Sequence, residues 1–304
     1  MATYLVTGGA GFIGSHIVEA LWKRNEAVRV FDNFSTGKRC NLQHLSGVEI
    51  IEGDVRDVDA VEQALSGADY VIHLAALVSV PQSMSDPAST HAVNVTGTLN
   101  ILTAAAARRV RRIVLASSCA VYGDNDDLPL AETALTKPLS PYAASKLMGE
   151  IYCETYFRSF ELPTVCLRYF NIYGPRQDPD GAYAAAIPKF AQRMQRYQPP
   201  VIFGDGTQTR DFVHVSDVVR ANLMACECES AVGQVFNIAT GRGVSLLQLV
   251  AALNALQDTS FIPEFQPPRT GDIKHSRGDG GKAARLLQFV PMTSLRDGLS
   301  TFVR

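Results

Sequence analysis

A doubly wound α/β fold, with a parallel sheet between layers of helices and a smaller C-terminal α/β lobe, is predicted by three observations. Short runs rich in apolar and β-branched residues recur at residues 3–6, 27–31, 48–51, 70–74, 112–116 and 163–168, the first of them without a polar break, as in a strand buried on both faces. Segments with helical apolar spacing alternate with them, beginning at residues 12–23. The first run also leads directly into Gly8, Gly9, Gly11 and Gly14 before that helix. Strand, glycine turn and helix in that order open a Rossmann-type sheet.

Missing Cβ atoms at Gly8 and Gly11 let this turn tighten and let a diphosphate approach the backbone, while Gly14 lets helix and strand pack closely. The helix N-terminus, with Phe12 and Ile13 in its first turn, offers N–H groups to the anion. The spacing Gly8-x-x-Gly11-x-x-Gly14 departs from G-x-G-x-x-G, and a plain βα connection is the alternative. Asp32 weighs against that alternative. It ends the second run, 18 residues after Gly14, where a carboxylate accepts the adenosine ribose hydroxyls and repels a 2′-phosphate. NAD is therefore expected rather than NADP. Lys38 and Arg39 lie beyond the turn and read as solvated charges.

At 304 residues the chain exceeds one ordinary core. Residues 1–174 are expected to bind the dinucleotide and 175–304 mainly the substrate, with parts of 205–245 rejoining the sheet. The net charge of −2 suits no nucleic-acid surface; Arg108, Arg109, Arg111 and Arg112 read as the end of a helix, at its negative dipole pole. Six cysteines without a C-x-x-C pair read as free thiols rather than a metal site. No apolar run reaches membrane-spanning length, and the chain opens in a core strand, so a soluble cytoplasmic protein is expected.

In chain order, Asn33 to Gly37 form a polar turn. Asp54 follows the third strand, placed either for the adenine end of a dinucleotide or as a helix cap. Ala75 and Ala76, after the fourth strand, leave room for a cofactor. A loop from Pro81 becomes a helix reaching Arg109, carrying Asn94, which either faces water or ties strands four and five together. Strand five delivers Ser117 and Ser118 to the carboxyl edge of the sheet, where ligands bind in open α/β proteins. A helix from Pro141 to about Arg158 carries Tyr142 and Lys146 one turn apart. Beyond Pro175, helices near 184–195 and 215–226 and short strands at 201–203, 235–238 and 261–265 form the smaller lobe.

Tyr142 and Lys146 make a Y-x-x-x-K pair, with Ser118 on a neighbouring strand end. A tyrosine titrating near 10 must drop roughly 3 pH units, about 4 kcal/mol, to act as a base near neutrality. An ammonium about 4 Å away at an effective dielectric of about 20 supplies that much. Tyr142 then serves as general base toward an alcohol, with Ser118 holding the oxygen. In isolation the pair reads more readily as a core tyrosine and a solvated lysine; the dinucleotide turn upstream reverses that in favour of the catalytic reading.

With these residues in view, the whole chain resembles extended short-chain dehydrogenases/reductases of the NAD-dependent epimerase/dehydratase family, through TGGAGFIG, HLAA, SSCAVYG, PYAASK and RYFNIYGP. The likeness extends to the UDP-hexose 4-epimerases, including those acting on UDP-N-acetylhexosamines. It implies an NAD site formed by Gly8, Gly11, Phe12, Ile13, Gly14, Asp32, Asn33, Ser35, Thr36, Gly37, Asp54, Val55, Leu74, Ala75, Ala76, Val78, Asn94 and Ser117. Tyr142, Lys146 and Tyr169 complete it around the nicotinamide. Toward a UDP-sugar it implies Asn171, Ala185, Ala186, Lys189, Val201, Phe203, Arg210, Arg269, Asp272 and Ser276, with Ser79, Gln82, Ser118 and Tyr142 at the sugar itself. A guanidinium binds a diphosphate at two points.

The reaction so implied has no net redox: Tyr142 takes the C4 hydroxyl proton, hydride leaves C4 for NAD, and after the keto sugar turns over hydride returns to its other face. Relatives that dehydrate carry Asp-Glu before V-Y-G, and those that decarboxylate carry Glu there; this chain has Cys119-Ala120. Where epimerases restricted to UDP-glucose resemble one another in a bulky aromatic, it has Ser276, which leaves room for an N-acetyl group. A homodimer through the helices bearing Asn94 and Tyr142 is implied too, though Ala104 to Ala107, Ala143 and Ala144 suit packing on the sheet equally well. A reductase or dehydrogenase with net redox, an epimerase for another nucleotide sugar such as UDP-glucuronate, and a non-catalytic NAD-sensing scaffold are the alternative functions.

Overall fold

The computed structural model describes residues 1–179, 185–268 and 273–302, so Arg269 and Asp272 lie outside the described residues. The strands are β1 (Thr3–Thr7), β2 (Ala27–Asp32), β3 (Glu49–Glu52), β4 (Tyr70–His73), β5 (Arg112–Ser118), β6 (Thr164–Tyr169), β7 (Asn171–Tyr173), β8 (Val201–Phe203), β9 (Thr209–Arg210), β10 (Phe212–His214), β11 (Gln234–Ile238), β12 (Val244–Ser245) and β13 (Glu264–Gln266). The central sheet runs β11-β6-β5-β4-β1-β2-β3 and every pairing in it is parallel. From β1 the chain steps out to β2 and β3, then returns to lay β4 against the other side of β1. Turns leaving β1 and β4 therefore diverge and open a crevice at their carboxyl ends.

The helices are α1 (Phe12–Lys23), α2 (Val58–Ala64), α3 (Val80–Ser85), α4 (Pro87–His91), α5 (Gly97–Ala107), α6 (Pro141–Phe160), α7 (Ala186–Gln195), α8 (Val215–Glu227), α9 (Leu246–Gln257), α10 (Gly281–Leu286) and α11 (Leu295–Ser300). Ile17, Val18 and Leu21 of α1 and Val218 and Ala221 of α8 bury one face of the sheet. Val61 of α2, Ile101 and Ala105 of α5 and Cys153 of α6 bury the other. Tyr173, Ile187, Phe190, Ile202, Leu249 and Leu253 form a third core beyond the sheet's carboxyl edge, among the two-stranded pairs β7–β10, β8–β13 and β9–β12.

Several expectations shift for local reasons. The stretch from Pro81 does not begin as a loop. Ser79 accepts from the Gln82 N–H and caps α3, Asp86 accepts from the Ser89 N–H and caps α4, and a π-helical turn over Ala92–Thr96 joins α4 to α5; prolines in the first turns need no N–H partner there. Arg112 does not close a helix. It opens β5 at 4% exposure and pairs with Glu229 and with the Ala225 and Cys228 carbonyls. The strand expected at 261–265 is β13, because Asn254 bonds both the N–H and the carbonyl of Phe261 and holds it at the end of α9. Helix α9 was not foreseen, although Ser245 and Gln248 form its capping box, a signal readable as S-x-x-Q.

Candidate active site

The crevice is built from the two diverging turns. Gly8 has φ +66°, and a Cβ there would stand 2.8 Å from the Ala75 nitrogen; one at Gly14 would stand 2.2 Å from the Gly8 carbonyl oxygen. Only glycine lets the turn after β1 pass against both the turn after β4 and helix α1. Thr7 and His73, absent from the sequence reading, pin the two turns together. Thr7 Oγ1 lies 2.7 Å from His73 Nδ1 and accepts from the N–H groups of Leu74 and Ala75, while His73 Nε2 reaches Thr98 Oγ1 at 3.0 Å. Burial pushes the His73 pKa down to about 3, so the imidazole is neutral. Polar residues ending two apolar strands were the available signal.

The cradle fits a dinucleotide. Unlike α2, α3 and α6, helix α1 starts without a side-chain cap, leaving its first N–H groups to an anion. Asp32 is buried at the end of β2 and accepts from Ala10 N and Phe34 N at 2.9 and 2.8 Å, with further lone pairs for ribose hydroxyls. A Cβ on Gly37 would come within 2.8 Å of Asp32 Oδ1. Asn33 donates to Asp54, and its Oδ1 accepts from Ser35 N. Hydrogen bonds from Arg56 hold Asp54 well below the usual carboxylate range. Asp57, not Asp54, caps α2. Val55 is buried, Leu74, Ala75 and Ala76 are half-buried beneath the crevice, Thr36 lies on the exposed turn after β2 and Val78 stands exposed beyond the turn after β4. Asn94 does not tie strands four and five; it bonds both backbone groups of Leu77 and donates to Ser145 on α6.

Ser118 ends β5 and Tyr142 and Lys146 share a face of α6, whose start is set by Ser140 accepting from Ala143 N at 3.1 Å. Ser118 stands beside Tyr142 and favours its ionised form, but burial, the dominant influence, pushes the phenol up to about 12. Lys146 Nζ stands 6.0 Å from the Tyr142 ring centre and donates to the Ala116 carbonyl at 2.9 Å; burial brings its pKa down to about 8. The expected lowering of Tyr142 by Lys146 is therefore not supplied by the chain's own groups, because desolvation dominates. One turn further along α6, Glu150 takes two bonds from Arg168 of β6, at 2.9 and 2.7 Å, and one from Ser117.

Tyr169 does not join the pair. Its hydroxyl donates to Asn222 of α8 at 2.9 Å, within the core on the face opposite α6.

On the lobe side, Asn171 opens β7 with a buried Oδ1 that has no hydrogen-bond partner among the described residues. Val201 and Phe203 line β8, half-buried. Arg210 Nη1 donates to the Thr209 carbonyl at 2.9 Å. Ala185 precedes α7, whose first turn carries Ala186 and Lys189. Ser79 is half-buried and Gln82 exposed on α3. Ser276 is 8% exposed and stands beside the Cys119 thiol, whose pKa burial raises to about 11. The residue after Ser118 and the serine from the far end of the chain thus meet at one wall.

A crystal structure of UDP-glucose 4-epimerase from Thermotoga maritima with UDP-glucose matches at TM-score 0.95 and 40% identity, covering 99% of this chain and 97% of that one. UDP-N-acetylglucosamine 4-epimerase from Methanobrevibacter ruminantium M1, in complex with UDP-N-acetylmuramic acid, matches at 0.94 and 38%, covering 99% and 98%. The UDP-glucose 4-epimerase of Mycolicibacterium smegmatis is 37% identical over 98% of this chain and 96% of its own length. A UDP-glucuronic acid decarboxylase of Arabidopsis thaliana and the UDP-glucuronic acid 4-epimerase of Bacillus cereus, the latter solved with NAD, are each 36% identical. The NAD dependent epimerase/dehydratase family matches residues 4–239; the chain, an enzyme whose cofactor is NAD, belongs to that family.

Proposed function

We propose that the chain is a UDP-hexose 4-epimerase that interconverts gluco and galacto configurations at C4 and accepts N-acetylated as well as plain sugars. The observation that carries this reading is the convergence of Ser118, Tyr142 and Lys146 at the crevice edge, beside a Cys119-Ala120 pair that has no carboxylate. Gly8, Gly11, the α1 N-terminus and Asp32 would hold NAD, which when bound supplies the hydride acceptor and a second positive charge near the tyrosine. Tyr142 receives the C4 hydroxyl proton, while Ser118, which stands beside it, fixes the oxygen from which it comes. Lys146 is the fixed cation that favours the tyrosinate. The idle Oδ1 of Asn171 is placed for a substrate donor, and Arg210 for the diphosphate.

A thiol held near 11 and a methyl group at positions 119 and 120 offer no acid or base for chemistry at C5 or C6, which argues against dehydration and decarboxylation. Ser276 at the same wall leaves volume for an acetamido group. We assign residues 1–174 with β11 to NAD and the rest mainly to the nucleotide sugar. We also propose a homodimer through the outer faces of α5 and α6, where Met148 and Ile151 are exposed while Ala104, Ala105 and Ala143 pack within the chain.

Proton NMR of C4 stereochemistry, with purified protein and no added NAD, tests the reading on UDP-GlcNAc, UDP-glucose and UDP-glucuronate separately. Galacto product from the first two is expected. Product from UDP-glucose alone would remove the role given to Ser276, and product from UDP-glucuronate alone would replace the hexose assignment.

A further inference from the structure

We infer that Asp211, which is outside the cradle and the tyrosine–lysine pair, is the positioning residue for nucleotide-sugar binding; this rests on the reading above. Asp211 lies between β9 and β10 with no exposed surface. Its Oδ1 accepts from the N–H and hydroxyl of Thr240 at 2.8 and 2.5 Å, and its Oδ2 from Gly241 N at 2.9 Å and Gly278 N at 3.2 Å. Its carbonyl oxygen accepts from Asn171 N at 2.9 Å. One residue thus joins the end of β11, the start of β7 and the segment that follows Ser276.

Three groups assigned above to the sugar nucleotide stand next to these anchor points. Arg210 is its chain neighbour, Asn171 hangs from its carbonyl, and Ser276 lies two residues before Gly278. The segment is drawn in tightly: a Cβ on Gly278 would come within 2.6 Å of the Phe170 ring, and Ser276 N donates to the Thr209 carbonyl at 3.1 Å. A carboxylate with both oxygens doubly engaged sets the spacing among Asn171, Arg210 and Ser276, none of which it touches through its side chain. Removing one acceptor leaves a buried N–H unpaired and lets the segment drift from the sheet edge.

The experiment compares Asp211→Asn with Asp217→Asn in protein purified with its NAD. Asp217 is an equally buried carboxylate that accepts from Met292 N, Thr293 N and Arg220, remote from the sugar residues. Both variants are expected to lower the thermal midpoint. Only Asp211→Asn is expected to raise KM for the UDP-sugar and Kd for UDP by about tenfold, about 1.4 kcal/mol, with kcat within about threefold of wild type and NAD content unchanged. Thr240→Val, which removes a single bond to Oδ1, serves if Asp211→Asn does not fold, and is expected to shift KM the same way by a smaller factor. A KM shift no larger than that of Asp217→Asn, or an equal fall in kcat, overturns the inference. Wild-type protein that binds no UDP overturns the functional reading instead.

Discussion

Lys146→Met separates what the active-site lysine does for catalysis from what it costs the fold. The lysine pKa falls from 10.5 to about 8 through burial, a difference worth about 3 kcal/mol against the folded state below about pH 8, where both forms are charged. Methionine fills similar volume without charge but leaves the Ala116 carbonyl without the Nζ donor, a loss of about 1 kcal/mol. Protein freed of NAD should therefore be about 2 kcal/mol more stable as the variant at pH 7, measured by urea unfolding, while epimerisation collapses. The folded lysine releases its proton near pH 8 and the unfolded one near 10.5, so between those values the unfolded chain binds more protons and wild-type stability rises with pH relative to the variant. The gap should close and reverse by about pH 10.5. A variant less stable than wild type at pH 7, or a gap independent of pH across this window, would refute the assignment of burial as the governing influence on Lys146.

Gly8→Ala forces a Cβ to 2.8 Å from the Ala75 nitrogen at φ +66°, costing about 1–2 kcal/mol in backbone and about 1–3 in overpacking; purified variant should carry much less NAD, measured by absorbance after acid release, and wild-type content would contradict the cradle. Tyr142→Phe should lower epimerisation by about 10²- to 10⁴-fold with NAD content retained, and a smaller loss would place the base elsewhere. Arg168→Met leaves Glu150 buried beside Ser117 without its cation, and calorimetry should show about 3–5 kcal/mol of lost stability. Ser276→Tyr should abolish turnover of the acetylated sugars while sparing the plain hexoses, read by the same NMR assay.

What was legible in the sequence was local. The glycine turn and Asp32 are governed by backbone geometry within a few residues, and Tyr142 and Lys146 by a single helical turn. What escaped depends on contacts between distant elements. The Glu150–Arg168 pair joins α6 to β6, and the loss of charge stabilisation at Tyr142 follows from how deeply α6 is buried, which spacing does not express. Tyr169 follows from that same pair. Successive strand residues face opposite sides, so with Arg168 turned to α6 its neighbour must turn to α8. Asp211, beside the arginine that drew notice, is organised by four bonds reaching from 29 to 67 residues away, and nothing in its immediate surroundings marks it.

The placement of β11 against β6 constrains how the chain can be made. Ribosomes complete Tyr169 long before Gln234, and at about 5–20 residues per second the outer edge of β6 waits several seconds for the strand that covers it. All six β6 residues are buried in the finished fold, so during that interval an apolar strand with unpaired N–H and C=O groups is open to other chains. A fragment ending after β7 would keep that edge permanently. Residues 1–174 alone thus leave that edge of β6 uncovered, and β11, delivered much later in the chain, acts as its cover strand.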